Sequence, residues 1–236
     1  MKNIIVITHE RSGTHLVINI INNENNGLFR SVGKFENNVS NDRYNLKNYV
    51  LQANYDLFLT PCPEKVILKS HHPVQFFEDN IEELFENYHV IYVSRDVKDV
   101  LVSYYKFLKE GLLEFPKFED WIFMKPCDVG YKYFEKLPDP HVYIEPKNYI
   151  ERWKMHKEGW MKYKDRMFVL RYEDVLQNFD EIKINLENFL GKQIVIDKIP
   201  RLDDDRLPSF SFNKGIVGSH LEYMDSDLIK KIESYS

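Results

Sequence analysis

Four residues near the start of the chain have the chemistry to hold an anion: Arg11, Ser12, Gly13 and Thr14. They separate an apolar, β-branched run, Ile4-Ile5-Val6-Ile7, from a run in which Leu16, Val17, Ile20 and Ile21 recur at helical spacing. A strand that feeds a helix through such a turn presents free backbone N–H groups and the positive end of the helix dipole. Gly13 lets the backbone approach the anion, Ser12 and Thr14 add hydroxyl donors, and Arg11 adds a full charge. The turn reads as the seat of a phosphorylated or sulfated nucleotide. A surface ion pair is the plainer alternative for Arg11 taken alone, and its neighbours favour the anion.

Three more polar residues stand at the ends of apolar runs. Lys69 closes Lys65–Lys69, Arg95 follows His89–Val93, and Tyr172 follows Met167–Leu170. Each of these runs reads as a buried strand, as does 3–8. Between them the pattern predicts helices over 14–22, over about 74–87, and from an Asp96 cap onward, with Val97, Val100, Leu101, Tyr104 and Leu108 on one face. Further helices are predicted over 179–190, ending at Gly191, and over 226–235. Residues 28–60 are polar and mixed and carry no clear pattern; 203–220 reads as irregular. Strands alternating with helices predict an α/β fold, a central parallel sheet covered by helices on both faces, within one domain over 1–236. In such sheets ligands lie beyond the carboxyl ends of the strands. Arg11, Lys69, Arg95 and Tyr172 are therefore predicted to converge on one site.

Composition narrows the function. The 236 residues are 43% hydrophobic and 29% charged, ordinary values for a globular chain. A net charge of −5 argues against nucleic acid as a partner, so any anion site must be local. Cys62 and Cys127 have neither zinc spacing nor the pattern of a disulfide framework. No apolar run reaches the length of a membrane span, and no leader peptide precedes the first strand, so the cytoplasm is the expected location. The turn lacks the Gly-Lys-Ser/Thr ending of the ATP-binding loop, and no carboxylate stands at a strand end to hold magnesium.

Five segments, in order, carry a specific resemblance. His9-Glu10-Arg11-Ser12-Gly13-Thr14-His15-Leu16 resembles the 5′-phosphosulfate loop of sulfotransferases that use 3′-phosphoadenosine 5′-phosphosulfate (PAPS). Residues 90–105, Val-Ile-Tyr-Val-Ser-Arg-Asp-Val-Lys-Asp-Val-Leu-Val-Ser-Tyr-Tyr, resemble the same family's 3′-phosphate segment. Lys69-Ser70-His71 is similar to the Lys-Thr-His segment that carries the base, and Arg171-Tyr172-Glu173-Asp174 to the Tyr-Glu-Asp segment near the adenine. Lys214-Gly215 with Gly218 resembles the late Lys-Gly-x-x-Gly loop.

The resemblance implies a P-loop-like α/β architecture. It also implies PAPS as sulfuryl donor, 3′-phosphoadenosine 5′-phosphate (PAP) as product, and transfer without a metal. It assigns the 5′ side to Arg11, Ser12, Gly13, Thr14 and His15, the 3′-phosphate to Arg95, Ser103, Lys214 and Gly215, and the adenine side to Tyr172. His71 becomes the base, with Lys69 and Arg11 stabilising the transferring group. Imidazole titrates near working pH, and such a base is worth about 10²–10⁴-fold. On residues alone His72 competes with His71, and His71 competes with a structural role as a helix cap. Ser103 alone reads as a solvent-facing serine off the apolar face, Arg95 as a partner of Asp96 or Asp99, and Lys214 as a solvated loop lysine.

The chain also departs from the family. Arg11 stands where many members have lysine, and a guanidinium cannot donate a proton to the leaving group. Leu16 replaces a tryptophan common in the cytosolic branch, so adenine stacking must come from elsewhere. Asn213 precedes Lys214 where arginine is usual, and Ser219-His220 replaces Asp-Trp. The aromatic stretch 104–163 could supply acceptor contacts through Phe107, Phe115, Phe118, Trp121 and Phe123, or fill the core with them. The segment Trp153–Tyr163 is predicted to pack on the sheet. The acceptor is expected to be a small molecule or carbohydrate. A P-loop-like nucleotide kinase and a non-catalytic PAP-binding protein are the competing readings.

Overall fold

The first strand, β1 (Asn3–Thr8), is apolar on both sides because both sides are covered. Ile4 and Val6 enter one core, and Ile5 and Ile7 enter another on the opposite face. The computed structural model describes residues 2–21, 28–31, 66–110, 112–134, 146–199 and 216–235. Five strands form one parallel sheet in the order β2-β3-β1-β4-β5, with β2 Leu28–Ser31, β3 Val66–Ser70, β4 Tyr88–Ser94 and β5 Phe168–Arg171. The register sets the carboxyl ends nearly level: Ile7 lies opposite Ser70, Thr8 opposite Val93, and Ser94 opposite Arg171. The chain builds β3 on one side of β1 and β4 on the other, so the crevice opens where these directions diverge.

Helices close both faces. On one face α1 (Thr14–Ile21) packs with the later α7 (Tyr172–Gln177) and α8 (Phe179–Leu190) against Ile4, Val6, Ile67, Ile91 and Val93. On the other face α2 (Ile81–Asn87) and α6 (Tyr149–Met161) pack against Ile5, Ile7, Leu68 and Tyr92, with Trp160 of α6 fully buried. A third core joins α3 (Val97–Lys109), α4 (Phe118–Trp121), α5 (Pro126–Phe134) and α9 (Ser226–Glu233).

Most predicted elements stand, with boundary shifts of a residue or two. Asp96 caps α3 by accepting the Lys98 N–H, and α8 ends at Gly191 with φ 63°, the left-handed conformation that glycine adopts freely. Two differences are instructive. Residues 74–87 are not one helix: 3₁₀ turns at Val74–Phe76 and Glu78–Asn80 precede α2. The turns bury Val74, Phe76 and Phe77 in the core on that face of the sheet. Residues 28–31, unassigned from sequence, form the edge strand β2.

Candidate anion and transfer site

The turn after β1 is shaped by two left-handed residues, Arg11 at φ 65° and Gly13 at φ 98°. Glycine is required at the second on two counts. Besides the dihedral, a Cβ there would lie 2.3 Å from Cδ2 of Tyr172, whose ring rests on the turn. Arg11 adopts a conformation that costs a side-chain-bearing residue about 1–2 kcal/mol. The loop therefore holds strain at the position that carries its charge. Thr14 opens α1, and its hydroxyl lies 2.6 Å from that of Thr8, tying the turn to the end of β1.

Arg95 knits the other side. Its guanidinium lies 4.4 Å over the Tyr172 ring and donates to the carbonyls of Arg11 (3.1 Å) and Ile216 (3.2 Å). It is buried, and its Nε has no hydrogen-bond partner among the described residues. The neighbouring Glu173 accepts the Asp96 N–H at 2.9 Å, so Tyr172 and Glu173 together fix the start of α3. Ser103 is buried, not solvent-facing: Arg11 Nε donates to its hydroxyl at 3.1 Å. Its position off the leucine–valine stripe of α3 is the side that faces the turn. The guanidinium of Arg11 also lies 5.0 Å over the ring of Phe107, and burial followed by the charge of Arg95 lowers its proton affinity.

Asp99, one turn along α3 from Arg95, is buried and gathers the segment 218–220. It accepts from the N–H groups of Gly218 (2.8 Å) and His220 (3.0 Å), from Ser219 Oγ (3.3 Å), and lies 2.8 Å from His220 Nδ1. Burial acts to raise its pKa, but the Gly218 and His220 donors, helped by the nearby charge of Arg95, outweigh it and hold the carboxyl below its usual range. Asp99 is thus committed to this segment and not to Arg95 as an ion-pair partner. Lys214 and Gly215 lie outside the described residues.

His71 follows β3 directly. Its Nδ1 lies 2.9 Å from the Thr8 carbonyl oxygen and 3.0 Å from the Thr8 hydroxyl. A carbonyl only accepts, so Nδ1 carries the proton and Nε2 keeps its lone pair. Burial, then the Lys69 charge, push the imidazole pKa well below the ordinary value, partly opposed by Glu10. Lys69 lies 3.0 Å from His15 Nε2. His72, by contrast, turns into the protein: its backbone N–H and Nδ1 meet Ser70 Oγ at 3.1 and 3.2 Å, and its ring packs on Phe76 at 4.1 Å. Of the two neighbouring histidines, only His71 is partly exposed; His72 is buried.

Behind His71 lies a buried polar cluster that sequence reasoning passed over. Arg152 of α6 donates to Glu10 Oε1 and to His9 Nε2, the latter at 2.9 Å. His9 Nδ1 lies 3.0 Å from the Glu10 carbonyl, and His156 Nδ1 lies 3.1 Å from the Tyr92 hydroxyl. Burial, assisted by Arg152, keeps His9 neutral, and burial does the same to His156. Burial would raise Glu10, but Arg152 outweighs it and the carboxyl stays ionised. The signal was present as a glutamate inside an anion turn and an arginine on a tryptophan-bearing helix; nothing local joins them across 142 positions.

The aromatic residues divide. Phe118 and Trp121 are core, and Phe115 and Phe123 pack partly buried against it, so these four serve the fold. Phe107 is 48% exposed and stands beside Arg11 at the site.

Known proteins give the same outline. A family profile described as "Sulfotransferase domain" matches residues 1–206. Cattle sulfotransferase 1E1 is 29% identical over 213 residues, covering 83% of this chain and 62% of its own length. The chain spans between 40% and 62% of the length of the curated relatives compared. The structure of mouse sulfotransferase SULT7A1 complexed with PAP superposes with TM-score 0.63 at 16% identity, covering 99% of this chain and 82% of that one. Retinol dehydratase in complex with androsterone and PAP gives TM-score 0.58 at 21% identity, covering 99% and 79%. At these identities the superpositions speak for the fold, while the profile spans most of the chain. The chain belongs to the sulfotransferase-domain family.

Proposed function

We propose that this chain transfers a sulfuryl group from PAPS to a hydroxyl or amine acceptor, releasing PAP, with His71 as general base. The observation that carries the reading is the tautomer of His71. With Nδ1–H spent on the Thr8 carbonyl, Nε2 is an available base at the level of the anion turn. The donor set fits the donor nucleotide. Ser12 Oγ and Arg95 Nε are both buried without a hydrogen-bond partner among the described residues, a state that calls for an acceptor. When bound, PAPS would supply an activated sulfuryl group on a phosphosulfate anhydride.

This chain's residues would do the rest. The turn 11–14 would bind the 5′-phosphosulfate through N–H groups and hydroxyls. Arg11 and Lys69 would neutralise the charge that gathers on the leaving phosphate, so no metal is assigned a part. His15 positions Lys69. Arg95, Ser103, Lys214 and Gly215 would hold the 3′-phosphate, and Tyr172 the adenine side. His71 would take the acceptor proton, and Phe107 would meet the acceptor or the base. The acceptor is read as a small molecule or carbohydrate. Among the described residues no helix is long and apolar enough to cross a membrane.

The test is His71→Ala in an acceptor screen with PAPS, read by PAP release. The expected outcome is loss of transfer by at least 10²-fold with PAP binding retained. Transfer near the wild-type rate would overturn the assignment of the base. Stabilisation against heat by PAP, but not by magnesium-ATP, separates this reading from a nucleotide kinase.

A further inference from the structure

Lys69, near the end of β3, and His15, in the first turn of α1, meet beside the anion turn. Lys69 Nζ lies 3.0 Å from His15 Nε2. An ammonium has donors and no acceptor, so Nε2 accepts and its lone pair faces the lysine. His15 is then neutral, with its proton on Nδ1. A second proton, on Nε2, would set two cationic N–H groups head to head at this distance. Two basic groups thus share one proton on the line between them.

The charges at this end of the sheet keep it so. Arg11 in the turn and Arg95 after β4 are cations, and the first turn of α1 has no acidic residue. Glu10, the carboxylate of the turn, is held by Arg152. His71, bonded to Thr8, and Tyr172, resting on Gly13, are both kept uncharged by burial. Each of these groups opposes a second proton or is indifferent to it. A phosphate or phosphosulfate seated on the turn would favour one, because an anion stabilises the charged form of a neighbouring imidazole.

Given the reading of the turn as the seat of the 5′-phosphosulfate, we infer that His15 takes up a proton from solvent when the nucleotide binds and becomes a second cation beside Lys69. The proton adds to Nε2, the hydrogen bond from Lys69 is given up, and Nδ1 keeps its own proton. Both side chains then present donors to phosphate oxygens. Arg11 cannot follow the ligand in this way: its Nε is committed to Ser103, and a guanidinium does not change its charge. The Lys69–His15 pair is the part of the grip whose charge arrives with the nucleotide. His15 is thus a binding group in its own right as well as a support for Lys69.

The experiment is titration calorimetry of PAP at pH about 7.5 in buffers of differing ionisation enthalpy, on wild type and on His15→Gln. Glutamine keeps an oxygen acceptor for Lys69 but cannot be charged, so it separates proton uptake from positioning. The phosphates of PAP are mostly ionised at this pH and release the same few protons to both proteins, so the difference belongs to His15. Wild type should take up about half a proton more per PAP bound than the variant. Uptake on binding means affinity gained as pH falls. The ratio of wild-type to variant affinity should therefore rise about tenfold from pH about 8.5 to about 6.5. Nitrogen NMR of wild type gives a second reading: His15 Nε2 should be a bare acceptor in the free protein and carry a proton with PAP, and this decides by itself if the variant does not fold. An equal proton count, a ratio flat with pH, or an Nε2 already protonated without PAP would overturn the inference. PAP that binds with no proton difference leaves the reading of the turn standing, whereas PAP that does not bind wild type overturns both.

Discussion

Acidification to pH about 5.5 should destabilise this protein well before its carboxylates titrate. His9 and His156 are buried at 3% and 2% exposure, and both have pKa values held well below the ordinary value of 6.5. Burial is the main cause for each. For His9 the guanidinium of Arg152 adds to it: Nε2 accepts an Arg152 N–H, so a second ring proton would point at a cation. The unfolded chain binds these protons near pH 6.5 and the folded chain does not, so stability falls as pH drops through that value. Between pH about 7.5 and about 5.5 each histidine contributes a loss of about 1.4 kcal/mol, provided its folded pKa lies below the lower limit. Together they remove about 2.7 kcal/mol, a large part of a typical margin of about 5–15 kcal/mol. With an unfolding entropy of about 2.1 cal/mol/K per residue over 236 residues, the melting temperature should fall by about 5 °C. His71 is partly exposed and adds in the same direction. The assay is calorimetry without PAP at the two pH values, repeated on His156→Gln, in which the drop should be smaller by about a third, His9 and His71 keeping their shares. A melting temperature that is flat over this range, or an unchanged drop in the variant, would refute the reasoning.

Other changes report on other parts of the site. Gly13→Ala puts a Cβ 2.3 Å from the Tyr172 ring and forces alanine to φ 98°; PAP binding by calorimetry should weaken by more than tenfold. Ser103→Ala removes the partner of Arg11 Nε; PAP affinity should fall about fivefold to tenfold while the melting temperature moves by only a few degrees. Gly159→Ala sets a methyl 2.9 Å from Val74 Cγ1 at the contact between α6 and the 3₁₀ turn; it should cost about 1–3 kcal/mol in urea unfolding and leave the nucleotide site intact.

What could be read from sequence was what is local. Strand, turn and helix at residues 3–21 announce themselves by period and composition, and the four polar residues after strands are placed together by the geometry of any parallel sheet. The resemblance added roles that spacing alone could not. What escaped depends on distant partners. Ser103 looked solvent-facing because the turn that covers it lies 92 positions away. Glu10 and Arg152 pair across half the chain, and no propensity marks either as buried. The break at Glu78–Asn80 was hidden because apolar side chains fall at helical spacing through residues that bend to follow the sheet. The left-handed Arg11 was unreadable for the opposite reason: sequence rules reserve that conformation for glycine, and here the fold imposes it on a charged residue.

The bonds from Asp99 and Arg95 to residues 216–220 set an order of events during synthesis. These contacts span 119 to 121 positions, so the first turns of α3 emerge from the ribosome long before their partners exist. Until then Asp99 lacks its donors among the described residues, and Arg95 has the carbonyl of Arg11 and the ring of Tyr172. The sheet and its anion turn can assemble early, whereas the start of α3 is secured only when a segment 119 to 121 positions later has been made. A nascent chain halted before residue 216 would thus be folded around β1 while the start of α3 still lacked the bonds that residues 216–220 supply.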